Sequence, residues 1–172
     1  NVGIDYAMRQ GYDYVLLLNN DARVASNTLA VMVEIANKAG ASIVGSVTHN
    51  EDGKELYIGR PWPLQLFGWR KMRSSEADEF WETGDVEGSA MLLHGDLLRL
   101  RLTEEGFCFD PRFFLYCEDV DLSRYAWSRG FRCVIARNAV VQHDVSGSSG
   151  GLGNPLPYYY ITRNRIYLAN RW

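Results

Sequence analysis

The chain has 172 residues, 47% of them apolar, 13% aromatic and 23% charged; this suffices for one buried core and excludes a disordered tail, a collagen-like rod or a coiled coil. Eighteen basic against 21 acidic residues leave a net charge of −3, so no general positive field attracts nucleic acid, and an anionic ligand needs a local cation. Cys108, Cys117 and Cys133 are spaced as neither a metal knuckle nor a disulfide framework and read as reduced, cytosol-facing thiols.

No run approaches the roughly 18 apolar residues of a membrane span, and the start lacks the basic-then-apolar pattern of a signal peptide. The chain begins without Met and in mid-pattern, with Ile4, Ala7 and Met8 on one face of a helix, and so reads as a fragment of something longer. Tyr14 to Leu18 is a continuous apolar run, which predicts a strand covered on both faces as in parallel sheets, ending at Asn19-Asn20-Asp21. Ser26 is the expected cap of a helix from Asn27 to about Lys38, stopped by Gly40. Ile43 to Val47 is the next short buried strand, and the Asn50-Glu51-Asp52-Gly53 turn leads to another at Leu56 to Ile58.

From Arg60 to Phe80 the pattern dissolves into a long loop carrying Pro61, Pro63 and aromatic residues. Val86 to His94 reads as a strand with a Gly-Ser-Ala stretch, followed by a short helical turn capped by Asp96 and an aromatic connector from Phe107 to Tyr116. Glu118 to Ser128 is a helix closed by Gly130. Cys133 to Ala136 and Val140-Val141 are two short strands, Ser146 to Pro155 is a Gly/Ser-rich loop, and a last helix spans Tyr158 to Trp172. The alternation predicts an α/β domain with a largely parallel or mixed sheet.

Ligands of open α/β sheets sit beyond the carboxyl ends of the strands, where Asn19, Asn20 and Asp21 lie. A carboxylate there can hold a divalent cation that bridges a diphosphate, and the same three residues also suit an ordinary turn. Glu118-Asp119-Val120-Asp121 opens a helix: the carboxylates are good capping residues, and one of them facing a site would be a general base. His143 ends an apolar strand pair, in reach of a metal at the top of the sheet, or is simply a satisfied histidine; His49 and His94 have no partner pattern. Arg163, Arg165 and Arg171 share the last helix with five tyrosine and tryptophan positions, a diphosphate clamp or an amphipathic docking face.

Five blocks occur in order: Asn1-Val2-Gly3; Val15 to Asp21; Gly88-Ser89-Ala90-Met91-Leu92; the most specific stretch, Phe109 to Leu122, with Glu118-Asp119-Val120-Asp121; and His143, 24 residues after Asp119, with Arg163-Asn164. Together they resemble the glycosyltransferase family 2 enzymes of the GT-A (nucleotide-diphospho-sugar transferase) fold, close to the rhamnosyltransferase-like group. The resemblance implies a mixed, mostly parallel sheet flanked by helices. It implies inverting transfer of a sugar from a nucleotide-diphosphate donor to an acceptor hydroxyl, assisted by Mg2+ or Mn2+. Asp21 and His143 then match metal ligands and Asp119 the catalytic base, while Asn19, Asn20, Gly88, Ser89, Glu118 and Arg163 match donor- or acceptor-binding positions.

Two departures accompany it. The first position of the family's Asp-x-Asp motif is Asn19, so the site has one carboxylate there rather than two. The family's first strand and nucleobase-gripping loop precede the Asn-x-Gly block, so residues 1–172 read as a single, N-terminally truncated catalytic domain that lacks much of the donor pocket and need not be active alone, expected to self-associate through an exposed sheet edge. The family-level expectation is cell-surface polysaccharide synthesis in the cytoplasm, at the inner face of the membrane, on a glycan or lipid-linked acceptor, with peripheral membrane contact through the last helix. The alternatives are a non-catalytic carbohydrate-binding remnant using Trp62, Phe67 and Trp69, and a sugar nucleotidyltransferase.

Overall fold

The computed structural model describes residues 1–60, 78–143 and 155–172. Helix α1 (Val2–Arg9) buries Ile4 and leads to strand β1 (Tyr14–Leu18). Strand β2 (Ala22–Val24) follows, too short to leave a periodic signal in the sequence. In helix α2 (Thr28–Ala39) the N-cap is Asn27 rather than Ser26, and Gly40 ends the helix at a φ of 59°, the left-handed conformation glycine reaches without Cβ strain.

Strands β3 (Ala41–His49) and β4 (Glu55–Tyr57) form the expected hairpin, its turn closed by Asn50 Oδ1 accepting from the Lys54 N–H at 2.7 Å. The aromatic loop positions Trp62, Phe67 and Trp69 lie outside the described residues, which resume before β5 (Phe80–Glu82). Strand β6 is confined to Ala90–His94 and runs into α3 (Gly95–Glu105), a full helix rather than a short turn; its cap is His94, whose Nδ1 accepts from the Asp96 N–H. Helix α4 (Glu118–Ser128) has the expected limits. The two short strands expected after it are one, β7 (Arg132–His143), whose pairing with β3 shifts register between Ser46 and Val47. Helix α5 (Pro155–Arg171) completes the described chain.

The strands form one sheet in the order β1-β6-β3-β7-β2, with β4 against β3 and β5 against β7. Only β3 and β7 run parallel among the described strands; every other pair is antiparallel, which corrects the expectation of a mostly parallel sheet. A continuous apolar run reports that both faces are covered and says nothing of direction. Val15 and Leu17 of β1 pack into one core cluster and Tyr14 and Leu16 into the other, although β1 is an edge strand.

The core lies on both faces of the sheet. Ile43, Met91, Leu93 and Ile135 face α3 and α4 with Leu97, Leu98, Leu122 and Tyr125, whereas Val44, Leu92 and Val134 face α2 with Met32, Ile35 and Ala36. The alternation of neighbouring residues between clusters is the two-residue period of a strand. Gly45 is required by space: a Cβ there would come within 2.6 Å of Val86 Cγ1 and 2.8 Å of Ile135 Cδ1. Behind α4, the fully buried Arg101 pairs with Asp121, whose other oxygen accepts from Arg171 Nε and Trp172 Nε1 at 2.8 Å each. The last acid of the Glu118–Asp121 stretch thus joins α3, α4 and α5. All three thiols are free, and burial pushes each above its ordinary range.

Candidate functional site

One edge of the sheet collects the ends of four strands. Leu18, the last residue of β1, is opposite Ala90, the first of β6, and just beyond them the Asn19 N–H donates to the Ser89 carbonyl at 3.0 Å. A tight turn, closed by the Ala22 N–H on the Asn19 carbonyl at 3.1 Å, returns the chain into β2, and Ala22 pairs with His143 at the end of β7. That register brings together two side chains 122 residues apart: His143 Nε2 lies 3.1 Å from Asp21 Oδ1. Both are mostly buried, at 12% and 21% exposure. A small cleft of about 190 Å3 opens against them, lined also by Asn20, Arg23, Glu51 and Gln142.

The other half of the site is the start of α4. Before it the chain turns through three non-glycine residues in the left-handed region, Phe114, Tyr116 and Cys117, with φ of 59°, 67° and 69°. Such residues are uncommon and need support from their surroundings. Asn164 of α5 supplies it: fully buried, its amide donates to the carbonyls of Phe113, Leu115 and Tyr116 at 2.9, 2.7 and 2.7 Å. The turn aims the first residues of α4 at the segment before β6. Asp119 Oδ2 accepts from the Gly88 N–H at 3.1 Å and Oδ1 from the Val120 N–H at 2.7 Å. Ser123 Oγ donates to the Asp119 carbonyl and accepts from the Val86 N–H.

Residues 87–89 therefore hold both halves, Ser89 through Asn19 and Gly88 through Asp119. A Cβ at position 88 would be 3.7 Å from Asp119, an ordinary contact, so what Gly88 supplies to Asp119 here is its N–H rather than empty space. Of the residues singled out in the sequence, Asn19, Asn20, Asp21, Gly88, Ser89, Glu118, Asp119 and His143 lie along this edge. Arg163 does not join them. Its guanidinium donates to the carbonyls of Arg112 and Phe113 at 2.6 and 2.8 Å and to Asn164 Oδ1, fastening the connector to α5.

Sequence reasoning missed the charged residues beneath the site. Asp85 is buried beside Arg60, whose Nη1 is 3.0 Å from its Oδ2; burial raises its proton affinity to a pKa of about 6, with Arg60 opposing and Asp119 adding. Glu87 is half-buried, its Oε2 accepting from Thr48 Oγ1 at 3.3 Å and Ser89 Oγ at 3.2 Å. Burial and then the Asp119 charge push it upward, and His143 opposes. Two acids flanking Val86 just before a buried strand were the available signal. Glu118 is also perturbed: burial and then Asp119 push it up to about 7, and its buried Oε2 has no hydrogen-bond partner among the described residues.

No group of three His, Cys, Asp or Glu side chains arranged for a metal occurs among the described residues. Asp21 and His143 nevertheless offer a hard carboxylate oxygen and an imidazole nitrogen side by side, and His143 Nδ1 is buried without a partner among the described residues. That donor set fits a divalent cation whose remaining positions are filled by phosphate oxygens.

No family model matches the chain, and no curated protein does. Among solved structures it is similar to GalNAc-T7, crystallised with UDP, GalNAc and Mn2+, with a TM-score of 0.67 at 17% identity over 97% of this chain and 34% of that one. A197 from STIV matches with a TM-score of 0.54 at 14% identity, over 84% of this chain and 64% of that one. The chain thus spans about a third of the first and just under two thirds of the second. At such identity the likeness is one of fold: a mixed α/β architecture similar to that of a GT-A glycosyltransferase.

Proposed function

We propose that the chain is the catalytic part of a metal-dependent, inverting glycosyltransferase of the family 2 kind, moving a hexose from a nucleotide-diphosphate donor to an acceptor hydroxyl in cell-surface polysaccharide synthesis. One observation carries the reading: on a GT-A-like fold, Asn19, which begins the turn that places Asp21 against His143, bonds to Ser89, and Asp119 bonds to the neighbouring Gly88. GalNAc-T7, the neighbour in fold, was crystallised with a nucleotide, a sugar and Mn2+.

In this reading Asp21 and His143 would hold Mg2+ or Mn2+, which would supply positive charge to the leaving diphosphate. Asp119 is held by the Gly88 and Val120 N–H groups with its carboxylate fixed in direction. It takes the proton of the acceptor hydroxyl as that oxygen bonds to the anomeric carbon. The bond from that carbon to the diphosphate oxygen breaks on the opposite face, and its electron pair leaves with the nucleotide. Asn19, Asn20 and Glu118 border the donor and acceptor. No helix among the described residues is long and apolar enough to cross a membrane; contact with a lipid-linked acceptor falls to α5, which exposes Tyr158, Tyr159 and Ile166. Self-association falls to the sheet ends, β1 and β2.

The test is calorimetry of the complete protein, of which residues 1–172 are read as the truncated part, with UDP and dTDP, with and without Mn2+. Nucleotide and metal should each strengthen the binding of the other, and Asp21→Ala should weaken binding of the nucleotide in Mn2+ by roughly tenfold or more. Nucleotide binding indifferent to Mn2+ and to Asp21 would refute the assignment.

A further inference from the structure

Glu87 is the one acid of this edge whose surroundings look like a reading device. Its Oε2 is fixed by two hydroxyls, Thr48 Oγ1 from the end of β3 and Ser89 Oγ from the entry to β6, while no hydrogen bond falls on Oε1 among the described residues. The side chain is half-buried, so Oε1 is not sealed inside the core. Both hydroxyls approach the same oxygen, at 3.3 and 3.2 Å, and no cation is bonded to the carboxylate among the described residues. Both Asp119 and His143 lie within electrostatic range of it.

Resting on the function proposed above, we infer that Glu87 is a specificity-determining residue, whose Oε1 accepts a hydrogen bond from a hydroxyl of the hexose being transferred. The transferred sugar must lie between the diphosphate, on the Asp21–His143 side, and the acceptor oxygen, on the Asp119 side. Glu87 adjoins Gly88, which is bonded to Asp119, and its Oε2 accepts from Ser89, whose carbonyl accepts from Asn19 at the start of the Asp21 turn, so it sits between the two sides and flanks the sugar rather than the nucleotide. A hydrogen bond from a neutral hydroxyl to a carboxylate is among the stronger ones, and a half-buried acceptor left without its donor is penalised, so such a residue discriminates sugars that present the hydroxyl from those that lack it.

The experiment compares the full chain with Glu87→Gln and Glu87→Ala by calorimetry in Mn2+. The probes are UDP and dTDP, their glucose, galactose and N-acetylhexosamine conjugates, and monodeoxy analogues of whichever conjugate binds best. The quantity read is the affinity ratio of nucleotide-sugar to bare nucleotide. The inference predicts that Glu87→Ala lowers this ratio by roughly 10–100-fold and Glu87→Gln by less, with bare nucleotide binding unchanged in the Gln variant. It also predicts that one deoxy analogue loses affinity in the parent chain and loses no more in Glu87→Ala. An unchanged ratio, or a weakening of bare nucleotide and Mn2+ to the same extent as the conjugate, overturns the inference while leaving the wider reading standing. A parent chain that binds no nucleotide with Mn2+ overturns both. Glu87→Gln keeps the shape and one acceptor oxygen, so it remains informative if the alanine variant does not fold.

Discussion

Glu118 and Asp119 are neighbours with opposite circumstances. Asp119 has both oxygens hydrogen-bonded, whereas Glu118 is partly buried against that charge with its Oε2 unpartnered among the described residues. A folded-state pKa of about 7, above the ordinary glutamate value, means that the native state binds a proton the unfolded chain has lost. The stability this represents is complete below the unfolded pKa and is lost as pH rises through about 7; Asp85, raised to about 6, acts in the same direction. Glu118→Gln should therefore raise the melting temperature relative to the parent at pH 8 and leave it nearly unchanged at pH 4. Equal shifts at both values would show that Glu118 ionises as freely in the native protein as in the unfolded chain. At this scale the sequence singles out residues where they come as a motif, Asp21, Asp119 and His143 one by one, and the fold sets Asp21 beside His143. Glu87 could not, because its meaning depends on Thr48, which only the folding of β3 alongside β6 brings near.

Among the elements, the connector from Phe113 to Cys117 depends most on a distant partner. Its three left-handed residues have no glycine to ease them, and Asn164 holds three of its carbonyls. Asn164→Ala would leave those carbonyls unbonded in a buried place and should cost roughly 2–4 kcal/mol, read as a lower urea midpoint with an unaltered slope. Because the connector aims α4, turnover should fall further than the loss of folded protein explains, with Asn164→Asp at least as damaging, since a carboxylate has no N–H to give the three carbonyls. A variant as stable and active as the parent would mean that the turn is held by other contacts. Helix α4 was legible to the residue because its acids, its apolar face and Gly130 agree. Strand direction was not, since apolar runs encode burial and not orientation. The capping of α3 by the residue that ends β6 also escaped, because histidine is not a usual cap.

The described residues form a sheet with a core on each face, and the candidate site residues gather where β1 and β7 end and β2 and β6 begin. Parallel pairing of β3 with β7 sets His143 beyond the end of β3, and antiparallel β2 then returns Asp21 to it. A chain of net charge −3 with several acids along that edge has no reason to bind a diphosphate unless a cation comes with it, which is why the account ties nucleotide to metal. The general α/β class could be read from alternating elements, and the order of the strands could not, because it arises from long-range pairings that leave no local trace.

The central claim is that Asp119 activates the acceptor for attack on a metal-held nucleotide-sugar. The measurement that meets it directly is sugar transfer from UDP- and dTDP-hexoses by the full chain and by Asp119→Asn, with product anomers assigned by NMR and UDP binding in Mn2+ followed alongside. The account predicts an inverted product from the parent and a fall in transfer of roughly 100-fold or more in the variant, with nucleotide affinity kept within about twofold. Transfer at the parent rate by Asp119→Asn, or a product that retains the donor's anomeric configuration, would contradict it.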